Sequence, residues 1–108
     1  MALSDPERAH EPRRVECFVY ILLCADGSYY VGSTSDLRER EPVHNDGHGA
    51  EYTASRRPVR MVYLEIQESW PAARSREARI KRWSRAKKKA LIDGDRRRLQ
   101  TLARRRRR

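Results

Sequence analysis

Apolar positions along the chain fall into runs with different periods, and the periods predict the elements. Residues 17–24, CFVYILLC, are continuously apolar and rich in β-branched and aromatic side chains, the signature of a strand buried on both faces. Ala25-Asp26-Gly27 then supplies turn chemistry, and SYYVGS at 28–33 is the hairpin partner. A third run, PVRMVYLEI at 58–66, alternates, which predicts a strand with Val59, Met61 and Tyr63 on one side. Three strands make the sheet.

Helical patterns fill the intervals. Ser35 followed by Asp36-Leu37 reads as an N-cap with an acidic first turn. Ser69-Trp70-Pro71 opens a second helix through AARSREARIKRW, and Ser84 caps a third, SRAKKKALI, ending near Asp93-Gly94. Between the first helix and the third strand, NDGHGAEYTASRRP reads as a loop on account of its Gly, Asn and Pro. This is an α+β arrangement in one domain, residues 17–92. Residues 1–16, with two prolines, alternating charges and no apolar period, are expected to be a mobile tail. Residues 93–108 are expected to be a basic tail, helical near Leu99 and Leu102, with an end too charged to hold structure alone.

The turn decides what the tyrosines can do together. A two-residue Asp26-Gly27 loop places Tyr20 and Tyr30 on opposite faces. A three-residue loop closed by a left-handed Gly27 places both on one face, with Gly32 opposite Tyr20. Glycine there costs strand stability and leaves room over the sheet for something to approach. Tyrosine is also an ordinary strand residue, so packing alone explains either phenol until partners are found.

Charge sharpens the picture because it is uneven. The formal net charge is +10, but residues 81–108 hold 14 Lys or Arg against 2 Asp, while residues 1–80 hold 11 basic and 13 acidic side chains. A basic block of this kind stays solvated and seeks a polyanion, nucleic acid first and an acidic membrane surface second; the plainer reading is a solubility tail. No window approaches eighteen apolar residues and residues 1–16 lack a signal-peptide core, so the chain is expected to be soluble, cytoplasmic and without a membrane partner. Cys17 and Cys24, roughly 23 Å apart at about 3.3 Å per strand residue, cannot bridge each other and read as buried reduced thiols.

Partners for the phenols exist. On a helix begun at Ser35, Leu37, Arg40 and His44 share a stripe, so Arg40 and His44 point the same way and could meet one phosphate. On the later helix Ala73, Glu77 and Ile80 share another, which turns a carboxylate inward. Glu77 is either half of an ordinary helical pair with Lys81 or Arg74, or a divalent-metal ligand, since one or two carboxylates plus substrate phosphates commonly hold Mg²⁺.

Taken in order, these residues resemble the GIY-YIG nucleases, in particular their small stand-alone bacterial members. Val19-Tyr20-Ile21 is similar to the first tripeptide, with Val19 in place of its glycine, and Tyr30-Val31-Gly32 to the second; Ser33-Thr34, Asp36-Leu37, Arg40, His44-Asn45 and Glu77 follow in place, and the likeness covers about residues 17–92. It implies a three-stranded antiparallel sheet flanked by helices and a metal-dependent endonuclease, or else a non-catalytic nucleic-acid binder that keeps the fold. Implied roles are a general base at Tyr20 or Tyr30, charge stabilisation by Arg40, a hydrogen-bonding His44, and one Mg²⁺ or Mn²⁺ on Glu77. Gly32, Arg56, Arg57, Lys87 and Lys88 are assigned to substrate. The implied partner is DNA, branched and flap forms included and RNA left open, in repair or recombination; the oligomeric state stays open. Pro42 is expected to kink or stop the first helix near Arg40, and His48 to be a loop residue.

Overall fold

The computed structural model describes residues 16–36, 44–45 and 51–106. The expected N-terminal tail, apart from Glu16, and the readings of Leu37, Arg40, Pro42 and His48 lie outside them. Strands β1 (Cys17–Leu23), β2 (Tyr29–Thr34) and β3 (Arg60–Gln67) form one antiparallel sheet in the order β2-β1-β3. β1 is central, which is why its sequence is apolar on both faces: Val19, Ile21 and Cys17 go to one side and Tyr20 and Leu22 to the other. Neither cysteine is in a disulfide, and both are buried.

The β1–β2 connection is the three-residue loop. Gly27 N–H donates to Cys24 O (2.9 Å), Cys24 N–H donates to Ser28 O (2.8 Å), and Gly27 sits at φ 84°, where a side chain is strained. Tyr20 therefore pairs with Gly32, and both phenols share a face.

β3 departs from the alternation expected of it. Ile21 pairs with Tyr63 but Leu22 pairs with Met61, leaving an extra residue, Val62, in a bulge. Val59 and Met61 therefore pack with Tyr20, while Tyr63 and Val62 pack on the opposite face. The expected common side for Val59, Met61 and Tyr63 is corrected by that one inserted residue.

The loop expected between 45 and 58 contains a helical turn, α1 (Glu51–Ala54). It is tied to the hairpin through Arg56, whose carbonyl accepts from Ala25 N–H at 3.0 Å. Helices α2 (Trp70–Lys81) and α3 (Arg85–Asp93) start as their serines predict: Ser69 Oγ accepts from Ala72 N–H and Ser84 Oγ from Lys87 N–H, each at 3.2 Å. Gly94, at φ 71°, ends α3. Ala73 and Ile80 of α2 are fully buried against Val19, Ile21 and Val31, and Leu91 and Ile92 of α3 pack on the same cluster.

Beyond Gly94 the chain continues as a helix, in line with the helical reading near Leu99 and Leu102. α4 spans Arg96–Arg106, its N-terminus capped by Asp95, whose Oδ1 accepts from Arg98 N–H at 3.0 Å. Leu99, Leu102 and Ala103 are half-buried, so a short apolar stripe holds the helix while Arg96, Arg97, Arg98 and Arg104 face water. No described helix is long and apolar enough to cross a membrane.

Candidate active site

Strand pairing brings the phenols together, and a buried histidine joins them. Tyr20 is 2% exposed, and its ring lies over Gly32: a Cβ built on that glycine would stand 2.5 Å from Tyr20 Cζ and 3.0 Å from Cε1, far inside contact distance. The space that glycine leaves is thus filled by Tyr20 itself, not kept open for substrate as the sequence suggested. Val19, in place of the motif glycine, points to the other face of the sheet.

His44 Nε2 lies 3.1 Å from the Tyr20 hydroxyl oxygen and Nδ1 lies 2.7 Å from Thr53 Oγ1; His44 is 2% exposed and Thr53 is fully buried. A polar group so deeply buried is costly without partners, and both imidazole nitrogens have one. The Tyr30 ring is tilted against the same imidazole, centroids 5.2 Å apart, and its other neighbour is the stacked ring of Tyr52 at 6.0 Å. Asn45 clamps the segment to the start of β3: its Oδ1 accepts from Val59 N–H at 2.7 Å and its Nδ2 donates to Val59 O at 3.1 Å.

Glu77 comes to this site around the edge of the sheet. Its carboxylate accepts from Ser33 Oγ, on the helix-covered side of edge strand β2, and pairs with Lys81 Nζ at 2.7 Å and more loosely with Arg74 at 3.9 Å. Lys81 Nζ is also 5.9 Å from the Tyr30 ring centroid, so it links the carboxylate on one face to a phenol on the other. Burial pushes the Glu77 carboxyl up, but hydrogen bonds from Lys81 and Ser33 and the charges of Lys81 and Arg74 outweigh it and hold it below the usual range.

That carboxylate fits one ligand position of a Mg²⁺ site. It is ionised and its side chain is 13% exposed, and substrate phosphates commonly complete such a shell. The oxygen facing Lys81 already pairs with an ammonium at 2.7 Å, so an ion there replaces a charge already present. Among the described residues no group of three or more His, Cys, Asp and Glu gathers to hold a metal by itself.

The other assigned residues are arranged differently. The Arg56 guanidinium pairs with Asp26 at 3.0 Å, donates to Tyr52 O at 2.9 Å and lies 3.8 Å above the Tyr52 ring, so its place is explained by holding α1 to the hairpin. Arg57 donates to Ala54 O (2.8 Å) and Asn45 O (3.2 Å). Lys87 and Lys88 lie on α3, in the layer against the opposite face from the phenols. There the Lys87 ammonium sits 4.1 Å over Trp83, and burial pushes the Lys88 amine down. Sequence reasoning missed Thr53 and Tyr52, which lie in a stretch without period, and gave Lys81 no part beyond an ordinary pair.

The profile of the GIY-YIG catalytic domain matches residues 16–90. A UPF0213 protein of Streptococcus pneumoniae serotype 4 is 43% identical over 77 residues, 71% of this chain and 78% of that one. A UPF0213 protein of Staphylococcus aureus strain N315 is 49% identical over 75 residues, 69% of this chain and 92% of that one. The solution NMR structure of a UPF0213 protein from Bacillus halodurans is 40% identical and covers 74% of this chain and 85% of that one, with a TM-score of 0.49. The match from the first strand to the third helix makes the chain a member of the GIY-YIG family, a nuclease superfamily whose substrates are nucleic acids.

Proposed function

We propose that the protein is a metal-dependent endonuclease that hydrolyses DNA phosphodiester bonds, with Tyr20 as general base. One observation carries the reading: a buried phenol hydrogen-bonded to a buried imidazole, over a glycine that admits its ring. Two strands and a third segment are held together to make this contact, and a purely structural tyrosine on an apolar face needs no imidazole beside it.

In the mechanism, the Tyr20 oxygen removes a proton from the attacking water and His44 receives the phenol proton. The water oxygen bonds to phosphorus while the bond to the leaving oxygen breaks. Tyr30, half-buried and next to both His44 and Lys81, contacts the phosphate from the outer side, and Arg40 neutralises its charge. Glu77 would hold Mg²⁺ or Mn²⁺, which when bound would polarise the phosphoryl oxygens and favour departure of the leaving group. Because Tyr20 is only 2% exposed, admission of a phosphate requires the site to open. The basic helices α3 and α4 add affinity without reading sequence, and a cut of this kind is what DNA repair and recombination require.

The test is incubation of the purified protein with supercoiled plasmid and a labelled flap duplex, in Mg²⁺ or in EDTA, beside Glu77→Ala. Metal-dependent nicking that is lost in Glu77→Ala is expected. Binding without cutting in every lane would leave a non-catalytic DNA binder in its place.

A further inference from the structure

We propose that the cleft between α3 and α4 is a second binding site, for a nucleotide: a phosphate carried on a sugar and a flat ring. It lies on the helix-covered side of the sheet, away from the phenols, and stands whether or not Tyr20 acts as a base.

The cleft holds about 500 Å³ and is lined by Arg85, Ala86, Lys89, Ala90 and Asp93 of α3 and by Arg98 of α4. The α3 positions form one stripe of that helix. Leu91 and Ile92 pack on the core cluster, so this stripe is left to face α4. Alanines at 86 and 90 leave the space open, since a longer side chain at either would occupy it.

Both guanidinium walls are fixed from outside the cleft. Arg85 donates to Gly27 O on the β1–β2 turn and lies 4.4 Å from the centroid of the Tyr29 ring. That bond leaves most of its N–H groups for a ligand. Arg98 is set by the turn at Gly94: Asp95 N–H donates to Ala90 O at 2.9 Å, and Asp95 Oδ1 accepts from Arg98 N–H at 3.0 Å. Among the described residues no carboxylate pairs with the Arg98 guanidinium. The one carboxylate in the lining, Asp93, is matched by Lys89 at 2.9 Å. Two guanidiniums therefore face a hollow whose other charges cancel, and an anion between them relieves their repulsion.

The shape narrows the anion. A guanidinium takes two phosphate oxygens at once and lies flat on rings, as Arg85 does on Tyr29. A bare phosphate fills little of this volume, whereas a nucleotide is of its size and sets its ring on the alanine floor. Such a nucleotide comes free or as one unit of a nucleic-acid strand, and both offer the same chemistry.

Titration of the ¹⁵N-labelled full-length protein with AMP, a short thymidine oligonucleotide or inorganic phosphate tests this, read at the amides of Ala86, Ala90 and Arg98. EDTA in every sample prevents metal-dependent cleavage, so failure here is distinct from failure of the nuclease reading. Shifts with AMP assign the cleft to a free nucleotide, and shifts with the oligonucleotide alone assign it to a unit of a strand. Shifts with neither overturn the proposal, as does inorganic phosphate binding as tightly as the nucleotide. Arg98→Gln should weaken binding by about tenfold, and Ala86→Leu, which fills the cleft and keeps every charge, by at least as much. Arg97→Gln makes the same charge change on the same helix outside the cleft and should stay within about twofold of wild type. Equal losses in Arg97→Gln and Arg98→Gln would mean diffuse attraction to a basic helix and would overturn the site; if Ala86→Leu does not fold, this pair decides.

Discussion

Tyr63 and Tyr20 lie on opposite faces of one sheet and meet partners of different kinds. The Tyr63 hydroxyl donates to Glu65 Oε1 at 2.5 Å, and Glu65 in turn takes two hydrogen bonds from Arg76, at 2.8 and 3.2 Å, and one from Gln67. Burial first, then the hydrogen bond and charge of Glu65, push the Tyr63 phenol up to about 12, so it keeps its proton at any ordinary pH. Tyr20 meets an imidazole, which can accept a proton without first carrying a negative charge. On the proposed mechanism, burial does not decide whether a tyrosine is chemical; the acceptor beside it does. The helix-covered face binds β3 to α2 with a charged network, and the other face sets an imidazole and a threonine hydroxyl in line with a phenol.

Gly32→Ala is the substitution expected to damage the reactive face most while sparing the other. The new Cβ would overlap the Tyr20 ring, which must move away from His44. Cleavage should fall by about tenfold to a hundredfold, and urea denaturation should show a loss of about 1–3 kcal/mol for the overpacking. Wild-type kinetics in Gly32→Ala would mean that the ring position is unimportant.

Unfolding as a function of pH sharpens the other side of the comparison. The folded Tyr63 value lies above the ordinary 10, so the native state holds that proton more tightly; the contribution is full below pH 10 and is lost as pH rises through about 12. Glu65 is the reverse case. Burial alone would raise it, but Arg76 and Tyr63 outweigh that and hold it below 4.5, so its contribution is full above that pH and is lost as pH falls through the lowered value. Urea midpoints should plateau between these windows and fall at both ends, and Tyr63→Phe should remove the alkaline fall that Tyr63 causes and, by taking one hydrogen bond from Glu65, lessen the acid fall as well.

A smaller effect is expected at the strand edge that joins the faces. Lys81→Met takes away the ammonium paired with Glu77, so Mn²⁺ should bind a few-fold more tightly in titration calorimetry, in keeping with about 0.2–1 kcal/mol for an exposed pair. Weaker binding in Lys81→Met would contradict competition at that carboxylate.

What could be read from the sequence was local. Ser69, Ser84 and Gly94 mark helix ends because their side chains or dihedrals act within a few residues, and the unbroken apolar run of β1 announces a central strand. The shared face of Tyr20 and Tyr30 was legible only as one branch of a choice, since the same three turn residues allow two loops. The bulge at Val62 was not legible, because strand alternation carries no mark of the register at which β1 slips. Thr53 was hidden for a related reason: its partner is a histidine brought in by tertiary structure, and no period connects the two. Arg56 was assigned to substrate, and its carboxylate partner, Asp26, lies thirty residues earlier, beyond the reach of any local pattern. The helix beyond Gly94 was legible near Leu99 and Leu102, whose spacing of three sets both on one face.

The most direct measurement is single-turnover cleavage of one labelled duplex in Mg²⁺ by Tyr20→Phe and Tyr63→Phe side by side, each first shown to be folded. If the phenol beside His44 removes the proton from water, Tyr20→Phe should lose about 10²–10⁴-fold in rate while Tyr63→Phe stays within about twofold of wild type. A Tyr20→Phe protein that cuts as fast as wild type would contradict the account.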